Sequence, residues 1–436
     1  MRMEDVEGFF ARREALDMER YVELDFTFEC AGDPRRAAAA LCSEQSTTQW
    51  HRVDVDEDYR PRFAAKVLQL EATPQPSGFS YPVPHAPAGP VHACRATIAH
   101  PHDNFGPRLP NLMTSVMGEG MFFAPGVPLI RLEDIRFPAT YLADFAGPRF
   151  GIAGIRQQLR AFDRPIFIGV IKPNIGLPPA PFAEIGEQAL LGGLDIVKDD
   201  EMLTDMPWSP LAERAALCGA AARRAAAATG VPKLYMANVT DEVYRLTELH
   251  DVAVRGGAGC LLLNTLPVGL SGVRLLRAHT QVPLFAHFPF IASFSRLPGY
   301  GVHSRVFTRL QRLAGFDAVI MPGFGPRMMM PEHEVLDCVR ACLEPMGSIR
   351  PCLPVPGGSD WAGTLEGVHR RVGTTDFGFI PGRGVFGHPL GPAAGAASLR
   401  QAWEAITQGI PLQDHAVTHM ELRRAIQHFG HRSPAR

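Results

Sequence analysis

Eight short, unbroken apolar runs lie between residues 165 and 380, and helical stretches separate them. The runs cover residues 166–171, 194–197, 234–237, 260–263, 284–286, 318–321, 352–355 and 377–380. A strand with one wet face alternates apolar and polar residues. A continuous run belongs to a strand covered on both faces, as in a parallel sheet. Eight strand–helix units in about 240 residues is the count of a (β/α)8 TIM barrel. A doubly wound open sheet is the alternative, but no Gly-x-Gly-x-x-Gly turn follows the first run. Between the runs, Ser209 reads as an N-cap with Pro210 at the first position of an Ala-rich helix ending at Gly230. Further helices contain residues 242–254, 304–313 and 332–343, and the tail from Ser398 onward reads as helices packed outside the barrel.

Residues before about 145 follow another rule. The stretch Tyr-Val-Glu-Leu-Asp-Phe-Thr-Phe at 21–28 alternates with period two, the mark of a half-buried strand. A helix over 35–43 follows, then strand-like segments at 64–70 and 93–99, with a Pro-rich irregular loop at 74–90. The expectation is an N-terminal α+β domain over 1–145, with an antiparallel sheet plus helices, and the barrel with C-terminal helices over 146–436. A chain of 436 residues is long enough for two cores. Its formal net charge of −2, with acids and bases mixed, leaves no basic field for nucleic acid or an anionic membrane, so a small-molecule substrate is expected. The charged start Met-Arg-Met-Glu-Asp-Val-Glu lacks the apolar core of a signal peptide, and no run is long enough to span a bilayer. The eight cysteines are scattered; Cys338 and Cys342 share a helix face, but no zinc spacing follows them. Buried thiols in a reducing, cytoplasmic setting are expected.

In a barrel enzyme the C-terminal strand ends hold the chemistry. Here those ends read Lys172-Pro173-Asn174, Lys198-Asp199-Asp200-Glu201, Asn238, His287, Gly357-Gly358-Ser359 and Gly382-Arg383-Gly384. Alternation along the second strand points Lys198 and Asp200 the same way, and Glu201 can turn back into the mouth. Two carboxylates are a partial shell for a hard cation such as Mg²⁺. A cationic lysine would repel that ion, whereas a carbamate formed from its neutral amine and CO₂ supplies an oxygen ligand. A salt-bridge cluster of Lys, Asp and Glu is the other reading. His287 on an apolar strand is either a core histidine or a site residue, and Lys172 either a partner of Asp200 or Glu201 or a working lysine.

The stretch Gly-Gly-Leu-Asp-Ile-Val-Lys-Asp-Asp-Glu at 192–201 closely resembles the carbamylated-lysine motif of the RuBisCO large subunit. Gly-Val-Ile-Lys-Pro-Asn-Ile-Gly-Leu at 169–177 resembles that family's first-strand motif. Gly-His-Pro at 387–389, Glu-Gln-Ser-Thr-Thr-Gln-Trp at 44–50 and Asn-Leu-Met-Thr-Ser at 111–115 fit as well. Its departures place the chain with the RuBisCO-like proteins, form IV, and it looks most like the group from photosynthetic bacteria. The resemblance implies that Lys198, as a CO₂-derived carbamate, holds one Mg²⁺ with Asp200 and Glu201. It implies proton transfer by Lys172, a role for His287 near the metal-bound oxygens, and a phosphate cradle at Gly357, Gly358 and Gly382. Glu44 and Asn111 match residues that reach a neighbouring subunit's site, which implies a homodimer with shared active sites.

Several positions differ from RuBisCO. Asn174 stands for a second lysine, Phe288 for an arginine, Ile320 for a histidine, Arg383 for a glycine, Gly357 for a serine, and Val170 and Gln49 for threonines. Arg327 lies near the position of the lysine that positions CO₂, followed by a Met328–Met330 run that reads as packing. Asn174, Arg327 and Arg383 remain candidate substrate contacts. Together the changes argue against ribulose-bisphosphate carboxylation. They leave Mg²⁺-dependent enolisation, tautomerisation or isomerisation of a small sugar-phosphate-like compound, and the resemblance implies a setting in sulfur metabolism and oxidative stress response. The rival expectation is a non-catalytic binding or regulatory protein in the same physiology.

Overall fold

A computed structural model describes residues 6–48, 58–325 and 327–430. The charged start at Met1–Asp5, Gln49 and Trp50 of the 44–50 motif, and Pro326 of the sixth loop lie outside the described residues. The chain divides into two compact units. The first comprises Met1–Ala146, Phe290–Leu310 and Pro345–Ile349; the second comprises Gly147–Pro289, Gln311–Glu344 and Arg350–Arg436.

Strands of the first unit are β1 (Tyr21–Ala31), β2 (Lys66–Pro74), β3 (Val91–Pro101) and β4 (Leu129–Arg136). Along β1 the even positions Val22 to Cys30 are buried and Glu23, Asp25, Thr27 and Glu29 are half-exposed, as period two requires. The helix Pro34–Glu44 contributes a buried Ala-rich face, Ala37–Cys42, to this unit. It starts where the Asp33 side chain accepts from Arg35 N at 2.9 Å and Pro34 supplies a preset first turn.

The second unit carries β5 (Ile166–Val170), β6 (Ile196–Lys198), β7 (Leu234–Asn238), β8 (Cys260–Asn264) and β9 (Leu284–His287). Within the first unit, β10 is the two-residue Gly301–Val302. The second unit ends with β11 (Ala318–Pro322), β12 (Leu353–Gly357) and β13 (Gly378–Phe379). The five-stranded sheet of the first unit has the order β10-β4-β1-β3-β2. Because β10 runs parallel to β4, this sheet is mixed rather than the purely antiparallel sheet that alternation alone suggests. Neither β4 nor β10 is apparent in the sequence pattern, since Leu-Ile-Arg-Leu-Glu-Asp-Ile-Arg breaks alternation and two residues carry no period.

In the second unit, eight parallel strands follow one another in chain order, each at one of the eight apolar runs, and β13 returns to pair with β5. At the closure β12 and β13 approach so tightly that a Cβ on Gly378 would lie 2.8 Å from Val355 Cγ2. The interior is filled by Ile166, Ile168, Ile196, Met236, Leu262, Phe285, Ile320 and Val355. Ile320 is therefore an interior residue of the barrel. The expected Ala-rich helix spans Leu211–Thr229 and ends at Gly230 in the left-handed conformation. Its start differs from expectation: Pro210 is the N-cap, and Leu211 N is satisfied instead by Asp205 Oδ1 at 2.9 Å. Ser209 is diverted, because its carbonyl and hydroxyl both accept from the buried Arg214. All eight cysteines are free and buried.

Candidate active site at the ends of the barrel strands

The end of β6 is built from two faces. Asp199 turns away from the mouth, and its carboxylate accepts from Tyr235 OH at 2.7 Å, Asn238 N at 3.0 Å, and Arg214 Nε and Nη2 at 3.3 Å each. Arg214 spends its remaining donors on the Ser209 and Thr204 carbonyls. Asp199 and Arg214 are both fully buried. Desolvation opposes the guanidinium charge, but Asp199 and Tyr235 more than offset it and hold its pKa above the usual value. This network fixes the backbone from which Lys198, Asp200 and Glu201 project.

On the other face, Asp200 Oδ2 accepts from Lys172 Nζ at 3.0 Å, and Oδ1 accepts from Met202 N at 3.2 Å. Lys172 Nζ also donates to Asn174 Oδ1, so Asn174 and Asp200 together position this nitrogen. The Lys172–Pro173 peptide is cis. Asn238 Nδ2 donates to the Asp200 and Glu201 carbonyls at 3.1 and 3.0 Å, and Asn264 Nδ2 to that of Glu201 at 2.8 Å. Both asparagines sit at strand ends, β7 and β8, and lock the turn after β6. The Glu201 carboxylate lies 3.5 Å from His287 Nε2.

Three buried polar atoms here have no partner: Lys198 Nζ, His287 Nδ1 and Asn264 Oδ1. Lys198 is 0% exposed, and burial pulls its pKa down against the opposing pull of Glu201 and Asp200. Burial, with the charges of Lys198 and Lys172, pushes the His287 pKa well below its ordinary value, so the ring is neutral and its contact with Glu201 is not an ion pair. Its ring stacks on Phe288 at 4.7 Å. Each orphaned buried group costs about 1–3 kcal/mol. A depressed amine with no hydrogen bond is the reactive form for CO₂, and the carboxylates of Asp200 and Glu201 are hard oxygen donors. The residues present therefore fit a divalent cation that a Lys198 carbamate, Asp200 and Glu201 would hold.

Loops after β11, β12 and β13 bring glycines together. A Cβ on Gly323 would sit 2.6 Å from Gly357 N, one on Gly358 2.6 Å from Met328 Cγ, and one on Gly382 3.1 Å from Lys172 Cε. Met328 thus packs on the seventh loop, as its run suggests. Gly358 N donates to Asp360 Oδ2 at 3.0 Å, so this N–H is already engaged by a carboxylate of the chain. Burial pushes Asp360 up to about 7. Arg327 and Arg383 are exposed. Glu44, half-buried at the end of its helix, and Asn111, exposed on the helix Leu109–Val116, belong to the first unit. Sequence reasoning noted Asn238 only as a strand end and missed Asp199, Arg214, Asn264 and Asp360 as working parts. Asn264 ends an apolar run as Asn238 does, which is a usable signal; the Asp199–Arg214 pair spans 15 residues without a motif.

Residues 151–429 match the family model for the ribulose bisphosphate carboxylase large chain, catalytic domain, and residues 24–141 match that of its N-terminal domain. The ribulose bisphosphate carboxylase-like protein 2 of Rhodopseudomonas palustris is 72% identical over 432 residues, 99% of this chain and 100% of that one. A 3-oxo-isoapionate-4-phosphate decarboxylase of Rhizobium rhizogenes is 32% identical over 419 residues, 94% of this chain and 98% of that one. Among solved structures, the octameric ribulose-1,5-bisphosphate carboxylase/oxygenase of Pyrococcus horikoshii superposes with a TM-score of 0.88 at 27% identity, covering 98% of each chain. The chain belongs to the ribulose bisphosphate carboxylase large-chain family, and within it to the RuBisCO-like proteins.

Proposed function

We propose that this chain is a Mg²⁺-dependent enzyme that enolises, and thereby tautomerises or isomerises, a small phosphorylated carbonyl compound, and that it does not carboxylate ribulose bisphosphate. The observation that carries this reading is the buried, unpartnered Lys198 amine beside Asp200 and Glu201, with Lys172 paired to Asp200. Lys198 as its carbamate, Asp200 and Glu201 would hold the ion. When bound, Mg²⁺ supplies Lewis acidity toward a substrate carbonyl. Lys172 Nζ would take the α-proton as its neutral amine, the form that a divalent cation beside it favours, and return it to carbon, while Asn174 fixes the position of that nitrogen. His287, neutral and held against Phe288, offers Nδ1 as a hydrogen-bond partner for a substrate oxygen. Backbone at Gly357 and Gly382, with Arg383 and Arg327, receives the anionic end, and Glu44 and Asn111 complete a partner's site in a homodimer. The decarboxylase relative, named for a phosphorylated keto compound, supports this substrate class. The setting is cytoplasmic sulfur metabolism and the oxidative stress response, as the resemblance to RuBisCO-like proteins of photosynthetic bacteria implies.

The test is solvent hydrogen exchange at the α-carbon of candidate phosphorylated ketoses, with and without Mg²⁺ and bicarbonate. Exchange that needs both, and that Lys172→Met abolishes while Mg²⁺ still binds, is the expected result. If the wild-type protein takes up no Mg²⁺ with bicarbonate present, the enolising reading falls. A second reading, a non-catalytic binding protein, is favoured by Phe288 standing in place of an arginine and by the Asp360 carboxylate on Gly358 N. Ligand binding without α-proton exchange would select it.

A further inference from the structure

Away from the strand-end site, the helices Leu246–Gly256 and Thr265–His279 of the second unit bring two imidazoles onto one carboxylate. His250 and Asp251 lie on the first of these helices, and His279 ends the second. His250 Nδ1 stands 2.7 Å from Asp251 Oδ1, and His279 Nε2 stands 2.8 Å from the same oxygen. One ligand atom from each residue falls within 4.8 Å of the others. An ionised carboxylate only accepts, so each of these nitrogens donates its N–H, in the plane of its ring, toward Oδ1. The in-plane directions of the two rings therefore meet at one point. The rings stand edge to face, with centroids 4.7 Å apart and planes at 77°, so neither covers the other's nitrogen. Both crowd onto Oδ1, while Asp251 Oδ2 takes no bond among the described residues.

His250 also has the outer support that a metal-bound histidine needs. Its Nε2 lies 2.8 Å from Thr280 Oγ1, which accepts from Val282 N at 3.2 Å and donates to the Val282 carbonyl at 3.4 Å. A proton on Nε2 therefore has an acceptor in place, and a neutral ring in that tautomer presents Nδ1 as a bare lone pair. Burial favours the neutral ring. His279, with a side chain 39% exposed, carries its proton on Nδ1 toward water in the same state. Moving one proton per ring from the shared side to the far side thus opens both lone pairs with no net loss of protons. Ligand atoms of a four-coordinate ion with bonds near 2.0–2.1 Å stand about 3.3 Å apart. The Asp251 carboxylate, 44% exposed, reaches that spacing by backing off about half an ångström as the ion replaces the two shared protons. The other His/acid cluster, Glu404, His415 and His419, lacks this convergence. Its two rings stack 3.8 Å apart in planes 12° from parallel, and their nitrogens cannot turn to one ion.

We propose that His250, Asp251 and His279 form a binding site for Zn²⁺ or a similar borderline divalent ion, with water in the fourth position. Two imidazoles and one carboxylate select such an ion over Mg²⁺, which prefers an all-oxygen octahedral shell. Bound there, the ion ties the helix Leu246–Gly256 to the end of the helix Thr265–His279, and it shares no residue with the Lys198 site.

Cobalt(II) and zinc are the probes, titrated into tag-free full-length protein without bicarbonate. One equivalent of Co²⁺ is expected to give the intense visible absorption of a four-coordinate imidazole site, and one equivalent of Zn²⁺ to displace it. A six-oxygen shell absorbs weakly, so occupancy of the Lys198 site is distinguishable. Asp251→Asn and His279→Gln, both on solvent-facing side chains, should each lower the Co²⁺ affinity by at least about tenfold, the lower bound for losing even an outer partner. His419→Gln and Lys198→Met should leave the band unchanged. Absence of the band in the wild type overturns the proposal. So does a titration that Asp251→Asn and His279→Gln leave unaltered, or a band that His419→Gln removes.

Discussion

Asp199 and Asp200 are chain neighbours, both buried, yet they live in opposite surroundings. Behind β6, Asp199 meets Arg214, Tyr235 and the Asn238 amide, and its carboxylate lacks nothing. In front, Asp200 shares its space with a lysine, Lys198, whose buried amine has no partner, and with His287 and Asn264, each also short of one. The back is what a folded chain does with charge when charge serves structure. The front is what it keeps when a ligand is to complete the set. Strand alternation alone sorts the two, since one residue of register separates them.

The comparison breaks most sharply under Arg214→Met. Removing one member of a fully buried ion pair leaves Asp199 charged and uncompensated, and the expected loss of stability is about 3–5 kcal/mol. Denaturant unfolding followed by circular dichroism measures it. A loss below about 1 kcal/mol would show that the back is no more structural than a surface pair.

Asp360 sharpens the front. Burial raises its folded-state pKa from 3.8 to about 7. A raised carboxyl pKa means that the folded state holds its proton longer than the unfolded chain does. The contribution is therefore nil below about pH 4, and stability falls as pH rises from there to about 7. The cost is about 1.4 kcal/mol for each pH unit crossed, and it stays constant above 7. Asp360→Asn keeps an oxygen for Gly358 N and carries no proton to lose. Its melting temperature relative to wild type should climb between pH 4 and 7 and then level; a pH-independent difference contradicts the assignment.

Lys198→Met is the mirror of Arg214→Met. It replaces a buried amine that has no hydrogen bond by an apolar chain of similar length, so stability should hold or rise by about 1–3 kcal/mol. Bicarbonate-dependent Mg²⁺ binding should vanish in calorimetry. If this variant instead falls apart like Arg214→Met, Lys198 belongs to the structural side and the salt-bridge reading of the cluster stands.

These contrasts also show how far the sequence could be read. All eight barrel strands announce themselves, because strands covered on both faces need unbroken apolar runs, and β1 does so through alternation. The strand-end set Lys172, Asn174, Lys198, Asp200, Glu201 and His287 is visible for the same reason, since polar residues directly after such runs have one place to go. Arg214 was invisible, as nothing in the first turn of an Ala-rich helix marks it as the partner of Asp199. The β10 strand was hidden too, because two residues have no period and its pairing with β4 joins segments far apart in sequence. Asp360 carried no signal of its own: a Gly-Gly-Ser-Asp loop reads as phosphate-binding until the carboxylate is seen on the Gly358 amide.

The smallest expected change is also the most local. Gly382 has a negative φ of −97°, outside the left-handed region that favours glycine, so with an alanine there stability should shift by less than about 1 kcal/mol. Its new Cβ would nonetheless sit 3.1 Å from Lys172 Cε, a contact that a lysine stem relieves by moving a few tenths of an ångström. That movement carries Nζ away from Asp200 and Asn174, the two groups that aim it. Proton transfer depends steeply on such placement, whereas in the proposed function the cation rests on Lys198, Asp200 and Glu201, none of which lies against the new Cβ. Gly382→Ala is therefore expected to slow α-proton exchange severalfold while Mg²⁺ affinity and the melting temperature stay at their wild-type values. If exchange is unchanged, Lys172 is not the residue that moves the proton. If Mg²⁺ affinity falls with it, the lysine and the cation site are one structural cluster, and the division between the two faces of β6 lies elsewhere.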